Sequence, residues 1–175
     1  TDETIPCLYD RTLRAAHTKL RKVFSGTDGK STCLVTHGAN PGYITHLTKR
    51  ALLELSSLQC PSTIPTSKEE WAQLAKKLGV RQIQCSEYDS QYANIHRSHN
   101  EFQSTWSVSG FMAELRAPAE FGISVNDHTT SAGCLNIAGA QVKMKSWSPS
   151  KGEFQGYLIQ HSEAVTISKF LSTED

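Results

Sequence analysis

The sequence has no Cys-x-x-Cys pair, no Asn-x-Ser/Thr sequon and no apolar run near the ~20 residues needed to span a bilayer. Its five cysteines, Cys7, Cys33, Cys60, Cys85 and Cys134, are odd in number and far apart. That spacing argues against a disulfide framework and for free, buried thiols in a reducing compartment. No signal-peptide pattern opens the chain, so a cytoplasmic location without a membrane partner is expected. A net charge of +1 lacks the basic field that non-specific nucleic-acid binding requires, and no nucleic-acid partner is expected. The basic run from Arg11 to Lys22 is interleaved with Leu13, Ala16, Leu20 and Phe24 at helical spacing, the pattern of a solvated helix face. There is no Gly-x-Ser-x-Gly elbow, no Gly-x-Gly-x-x-Gly loop and no Walker loop, so the chain carries no dinucleotide or phosphate fingerprint of its own.

What the sequence does have is an uneven distribution of charge. Between Gln84 and His128 stand six acidic residues, Glu87, Asp89, Glu101, Glu114, Glu120 and Asp127, against two basic ones, Arg97 and Arg116. The preceding segment carries twelve Lys/Arg and seven Asp/Glu, and the tail has four of each. Within the acidic segment, Glu87-Tyr-Asp-Ser-Gln91 is followed by Ser104-Thr-Trp-Ser-Val-Ser-Gly-Phe-Met-Ala-Glu114, which sets carboxylates on both sides of Trp106. An indole face attracts an ammonium by about 0.5–2 kcal/mol, and flanking carboxylates would neutralise it. These residue types suit an elongated organic cation. Singly, each has a plainer explanation: Trp106 as core, Glu87 and Glu114 as surface charges. Glu114, however, lies in an otherwise largely uncharged stretch, where a carboxylate needs a partner.

With 38% apolar and 20% charged residues, 175 residues can bury one ordinary core. Asp10 reads as the N-cap of a helix reaching about Phe24, with Gly26 and Gly29 in the turn beyond it. Thr32-Cys-Leu-Val-Thr36 reads as a buried strand. It enters the loop His37-Gly-Ala-Asn-Pro-Gly42, after which Ile44, Leu47, Ala51 and Leu55 recur at helical spacing. In that loop the glycines permit close approach, Pro41 fits a first helical turn, and Asn40 is pushed out of the α region with its amide free to face a ligand; a plain Asn-Pro turn explains the same residues equally well. Cys60-Pro-Ser-Thr-Ile-Pro65 reads as a loop. Ser67 and Glu70 form a capping box, Trp71, Leu74, Ala75 and Leu78 an apolar stripe, and Gly79 a stop. Residues 80–86 are expected as a strand delivering Glu87, and 88–105 as irregular. The alternations over 141–147 and 156–160 predict antiparallel strands joined near Gly152. The fold class is α+β with an α/β-like start. His96-x-x-His99 has ligand spacing if helical but lacks a third ligand, so a solvated loop pair and no metal are expected. His37 and His46 flank the glycine loop, either as acid–base candidates or as structural residues.

Taken together, these motifs resemble the bacterial-type homospermidine synthases of the saccharopine dehydrogenase-like superfamily. The resemblance rests on Thr36-His-Gly-Ala-Asn-Pro-Gly42, Gly79-Val80 leading to Glu87-Tyr-Asp-Ser-Gln91, and Phe102-Gln-Ser-Thr-Trp-Ser-Val-Ser-Gly-Phe111 with Glu114. Pro118-Ala-Glu-Phe-Gly122 and Gly156-Tyr-Leu-Ile-Gln-His-Ser-Glu163 extend it in the same order. It implies NAD used without net redox change, with putrescine or spermidine oxidised to an imine, a Schiff base formed with a second amine, and re-reduction to homospermidine. By position, Glu87, Trp106 and Glu114 would be both catalytic and substrate-binding, and Asn40 would meet the cofactor. Residues 1–36 would end an NAD-binding domain, and 37–175 would form an incomplete substrate and dimerisation domain of a homodimer. A fragment of this kind is expected neither to bind NAD tightly nor to turn over alone. The chain departs from the family at Tyr88, where an arginine is usual, at Ser109, where an acid is usual, and over Ile123-Ser-Val-Asn-Asp127. A saccharopine-type amino-acid dehydrogenase and a non-catalytic polyamine-binding or dimerisation module are the competing readings.

Overall fold

The computed structural model describes residues 7, 9–25, 37–59, 63–122 and 134–173. Among them are five α-helices and two separate two-stranded antiparallel sheets, an α+β arrangement. The expected strand at 32–36, the expected turn at Gly26 and Gly29, and Ile123–Asp127 lie outside the described residues.

Helix α1 spans Leu13–Phe24. Its N-cap is Thr12, not Asp10: the Thr12 hydroxyl accepts from the Ala15 N–H at 3.1 Å, while Asp10 lies in the 3-10 turn Tyr9–Arg11. The reason is tertiary. Glu120, 1% exposed at the end of β1 (Pro118–Glu120), accepts the Leu13 and Arg14 N–H groups at 2.8 and 2.9 Å. Two donors that a helix start leaves unsatisfied thus go to a carboxylate more than a hundred residues away. β1 pairs with β2 (Cys134–Ala138) across a bulge.

The loop before helix α2 (Tyr43–Gln59) closes on itself. The Gly38 N–H donates to the Pro41 carbonyl at 2.6 Å, and the Tyr43 N–H to the Gly38 carbonyl at 2.8 Å. Gly42 has φ 128°, and a Cβ there would lie 2.6 Å from the Gly38 oxygen, so a side chain is excluded twice over. Pro41, joined to Asn40 by a cis bond, sits in this turn and not inside the helix as expected.

Helix α3 (Lys68–Lys77) starts at the expected capping box, with both Ser67–Glu70 hydrogen bonds present, and Gly79 at φ 68° follows its end. Trp71, Leu74 and Ala75 of α3 pack on Leu52 of α2, with Leu78 and Phe170 alongside. The Lys49 ammonium lies 5.0 Å from the Trp71 ring and 4.6 Å from that of Phe170, tying α2 and α3 to α5 (Ser162–Phe170).

Strands β3 (Lys143–Ser148) and β4 (Gly152–Tyr157) form the expected hairpin, though β4 begins four residues earlier than the alternation over 156–160 suggested. Residues 80–86 are not a strand, and no backbone ladder joins them to either sheet. They cross the hairpin by side chains instead. The Gln84 amide donates to the Lys145 carbonyl at 2.9 Å, the Ser86 and Ser146 hydroxyls meet at 2.9 Å, and Tyr88 sets its edge on Phe154. Of the described cysteines, Cys7 and Cys85 are exposed and Cys134 half-buried, so the thiols are free but not buried as expected.

Candidate functional site

A cleft of about 480 Å³ opens where the glycine loop, the 84–91 segment, helix α4 (Val108–Arg116) and the residues before α5 converge. Asn40, Glu87, Trp106 and Glu114, the residues singled out from the sequence, all line it. A smaller hollow of about 340 Å³ beside the start of α3 holds none of them.

The 84–91 segment reaches the cleft through its alternation. Cys85, Glu87, Asp89 and Gln91 line the cleft, while Gln84, Ser86 and Tyr88 hold the hairpin. Extended backbone points successive side chains to opposite sides, so this segment presents its carboxylates as a strand would, without the ladder.

Trp106 is 49% exposed and is not core. It precedes α4, whose N-cap Ser107 accepts from the Gly110 N–H at 3.1 Å. The indole stands edge-on to Phe111 at 6.0 Å, and Phe111 in turn stacks on Phe102 at 5.6 Å. Gly110 makes this possible, because a Cβ there would lie 2.9 Å from Trp106 Cζ3.

Glu114 projects into the cleft from α4 and finds the partner its sequence neighbours lack: His161 Nε2 lies 3.8 Å from its Oε2. Burial pushes the Glu114 carboxyl up, and the nearby Glu87 charge adds to this while His161 opposes it. The two carboxylates therefore share one field. Glu87 Oε2 also accepts from the Asn40 amide at 3.1 Å, which fixes that amide at the cleft wall. Asp89 is held below the usual carboxylate range by the Thr105 hydroxyl, at 2.7 Å, and then by the Gln91 N–H, at 2.9 Å.

His161 and Glu163 carry no role in the sequence reading. His161 Nδ1 lies 3.7 Å from Glu163 Oε2, and Glu163 is 5% exposed with no hydrogen bond to either oxygen. It sits in the first turn of α5, the end of a helix where acidic residues are favoured. The signal available was a histidine two residues before a glutamate at a helix start. Asp89 was counted only as one of several acids. Cys85 keeps solvent contact, but desolvation by its neighbours, with the Glu163 charge adding to it, pushes its thiol pKa up.

The other candidates lie elsewhere. The His37 and His46 rings lie 5.8 Å apart, tilted at 55°, and neither lines the cleft. His96 and His99 are exposed in an irregular loop, as expected for a solvated pair. Chemically, a half-exposed indole among carboxylates, with no arginine or lysine in the lining, suits ammonium groups better than carboxylate anions.

A fold of this class is shared with known proteins. The chain is 36% identical over 163 residues to homospermidine synthase of Blastochloris viridis, covering 86% of this chain and 33% of that one. It is 33% identical over 159 residues to homospermidine synthase of Mesorhizobium japonicum, covering 82% of this chain and 33% of the relative. The crystal structure of homospermidine synthase from Legionella pneumophila in complex with NAD superposes with a TM-score of 0.77 at 33% identity, over 95% of this chain and 38% of that one. No family model matches. Over most of its own length the chain is thus a relative of the homospermidine synthases, as its motifs indicated, and it spans about a third of the curated relatives it matches.

Proposed function

We propose that this chain carries the amine-binding part of a homospermidine synthase-like transferase acting on putrescine or spermidine. The observation that carries the reading is the convergence of Glu87, Glu114 and Trp106 on one cleft without a lysine or arginine in its wall. A saccharopine-type substrate would bring carboxylates into that wall and meet Glu87, Asp89 and Glu114 as like charges.

In this reading Trp106 holds a cationic amine or iminium against its ring face, and Glu87 and Glu114 bind and orient the ammonium groups. An ammonium must lose a proton before its carbon can give up hydride. Glu114, whose proton affinity is raised, is the cleft carboxylate best suited to take that proton, with His161 beside it. The proton returns when the second amine has displaced ammonia and the Schiff base is reduced. The fit of the described residues to NAD is limited to one edge: the Asn40 amide, held at the cleft wall by Glu87, would meet the nicotinamide. NAD, when bound, accepts a hydride from the amine carbon and later returns it.

The division into the end of an NAD-binding domain at 1–36, a substrate and dimerisation domain at 37–175, and assembly as a homodimer belongs to the same proposal. Turnover is assigned to the longer protein of which these residues match a third. Titration calorimetry tests the reading: putrescine and spermidine should bind this chain, and 2-oxoglutarate and lysine should not. Tighter binding of 2-oxoglutarate than of putrescine would refute it. With NAD and putrescine present, mass spectrometry should detect no homospermidine from these 175 residues alone; its appearance would overturn the assignment of turnover to the longer chain.

A further inference from the structure

We infer that Asp89 is a positioning residue of the cleft, its carboxylate latching the Trp106 loop to the Glu87 segment. The inference deepens the amine-binding reading in its ligand arm but stands on geometry that needs no ligand. Asp89 follows Glu87 on the cleft-facing row, and each of its oxygens has an assigned donor. The Gln91 N–H, 2.9 Å from Oδ1, locks the carboxylate to its own segment, and the Thr105 hydroxyl, 2.7 Å from Oδ2, crosses sixteen residues to the loop. A hydroxyl donating to a carboxylate at that distance is among the stronger protein hydrogen bonds.

Thr105 immediately precedes Trp106, whose own N–H makes only a long 3.4 Å contact with the Ser104 hydroxyl. The chain between the two partners is exposed, and its hydrogen bonds, such as Ser98 N–H to Glu101 at 2.8 Å and Gln103 to Glu101 at 3.3 Å, are local. The Glu87 segment is anchored independently, through Ser86 and Tyr88 on the β3–β4 hairpin. A continuous path therefore runs from the hairpin through Asp89 and Thr105 to the indole. Since the same two hydrogen bonds hold the Asp89 carboxyl below its usual range, the latch is set throughout neutral pH.

The test follows the Trp106 indole N–H signal by NMR in the full chain, assigned as the one lost in Trp106→Phe. Asp89→Ala and Thr105→Val should each speed hydrogen exchange of that indole. Each should also weaken putrescine binding by about five- to ten-fold, the equivalent of one well-placed hydrogen bond. The double variant should be no worse than the worse single, the mark of one shared interaction. Asp89→Asn, which keeps an acceptor for Thr105, should leave the indole signal near the parent's, and its affinity should fall less than that of Asp89→Ala. Thr105→Val preserves shape and serves if Asp89→Ala does not fold. An indole unchanged in both Asp89→Ala and Thr105→Val overturns the latch. So does a silent Thr105→Val beside an Asp89→Asn as weak as Asp89→Ala, because Asp89 would then act by its charge on the ligand. If the indole responds as expected and the parent chain binds no diamine, the latch stands and the amine-binding reading falls.

Discussion

At Trp106 a single missing methyl decides where the largest side chain of the cleft lies. Gly110→Ala would place its Cβ 2.9 Å from Trp106 Cζ3 and 3.3 Å from the Ser107 hydroxyl. The half-exposed indole has open solvent to swing into, so the strain is relieved by moving the ring. Alanine also gains about 1 kcal/mol of helix propensity over glycine in α4. The expected outcome is therefore split: thermal stability unchanged or raised, and putrescine affinity lowered by about ten-fold as the cation–π contact is lost. Melting curves run beside the titrations check both halves, and a parallel loss of both would point to simple misfolding. Glu114 gives the corresponding pH signature. Its raised pKa means the folded protein holds that proton more tightly than the unfolded chain. Stability from this group is hence highest in acid and falls as pH rises from the ordinary carboxylate range through the raised value. Diamine affinity runs the other way, rising as Glu114 ionises, while a primary ammonium stays charged. Glu114→Gln should flatten the affinity profile over that window, and a profile unchanged from the parent's would remove Glu114 from the ammonium site.

At the scale of elements, local signals were legible and long-range ones were not. The α3 capping box and apolar stripe are written within a few neighbouring residues and were readable as such. The start of α1 was misplaced because its N–H groups are satisfied by Glu120, which arrives on β1 from far along the chain. Removing that carboxylate should therefore cost a helix, not a strand. Glu120→Ala is expected to destabilise the protein by about 2–4 kcal/mol, since each orphaned donor costs about 1–3 kcal/mol. Glu120→Gln, with one acceptor oxygen, should lose less. Urea unfolding gives the magnitude, and hydrogen exchange should localise the loss to α1. Protection there equal to the parent's would show that Thr12 suffices as a cap. The 80–86 segment failed as a strand for a related reason: alternation records which side chains face which way but not whether a backbone partner lies alongside.

Across the whole molecule, the acidic quarter of the sequence supplies most of the cleft wall, from Cys85 to Leu115, and it could be marked out beforehand because net charge is a property of composition and survives ignorance of the fold. Glu87, Trp106 and Glu114 could be grouped on residue type and resemblance alone. His161 and, behind it, Glu163 could not, because they come from another part of the chain and only packing brings His161 to the cleft wall beside Glu114. The 84–91 segment works like a toothed rack engaged on both sides, one row meshed with the hairpin and the other setting the spacing of negative charge. Trimming Phe154 or Ser146, neither of which lines the cleft, would let the rack slip. If the cleft takes amines as proposed, discrimination by their length is then open to mutations on the reverse side of the molecule, out of reach of any ligand.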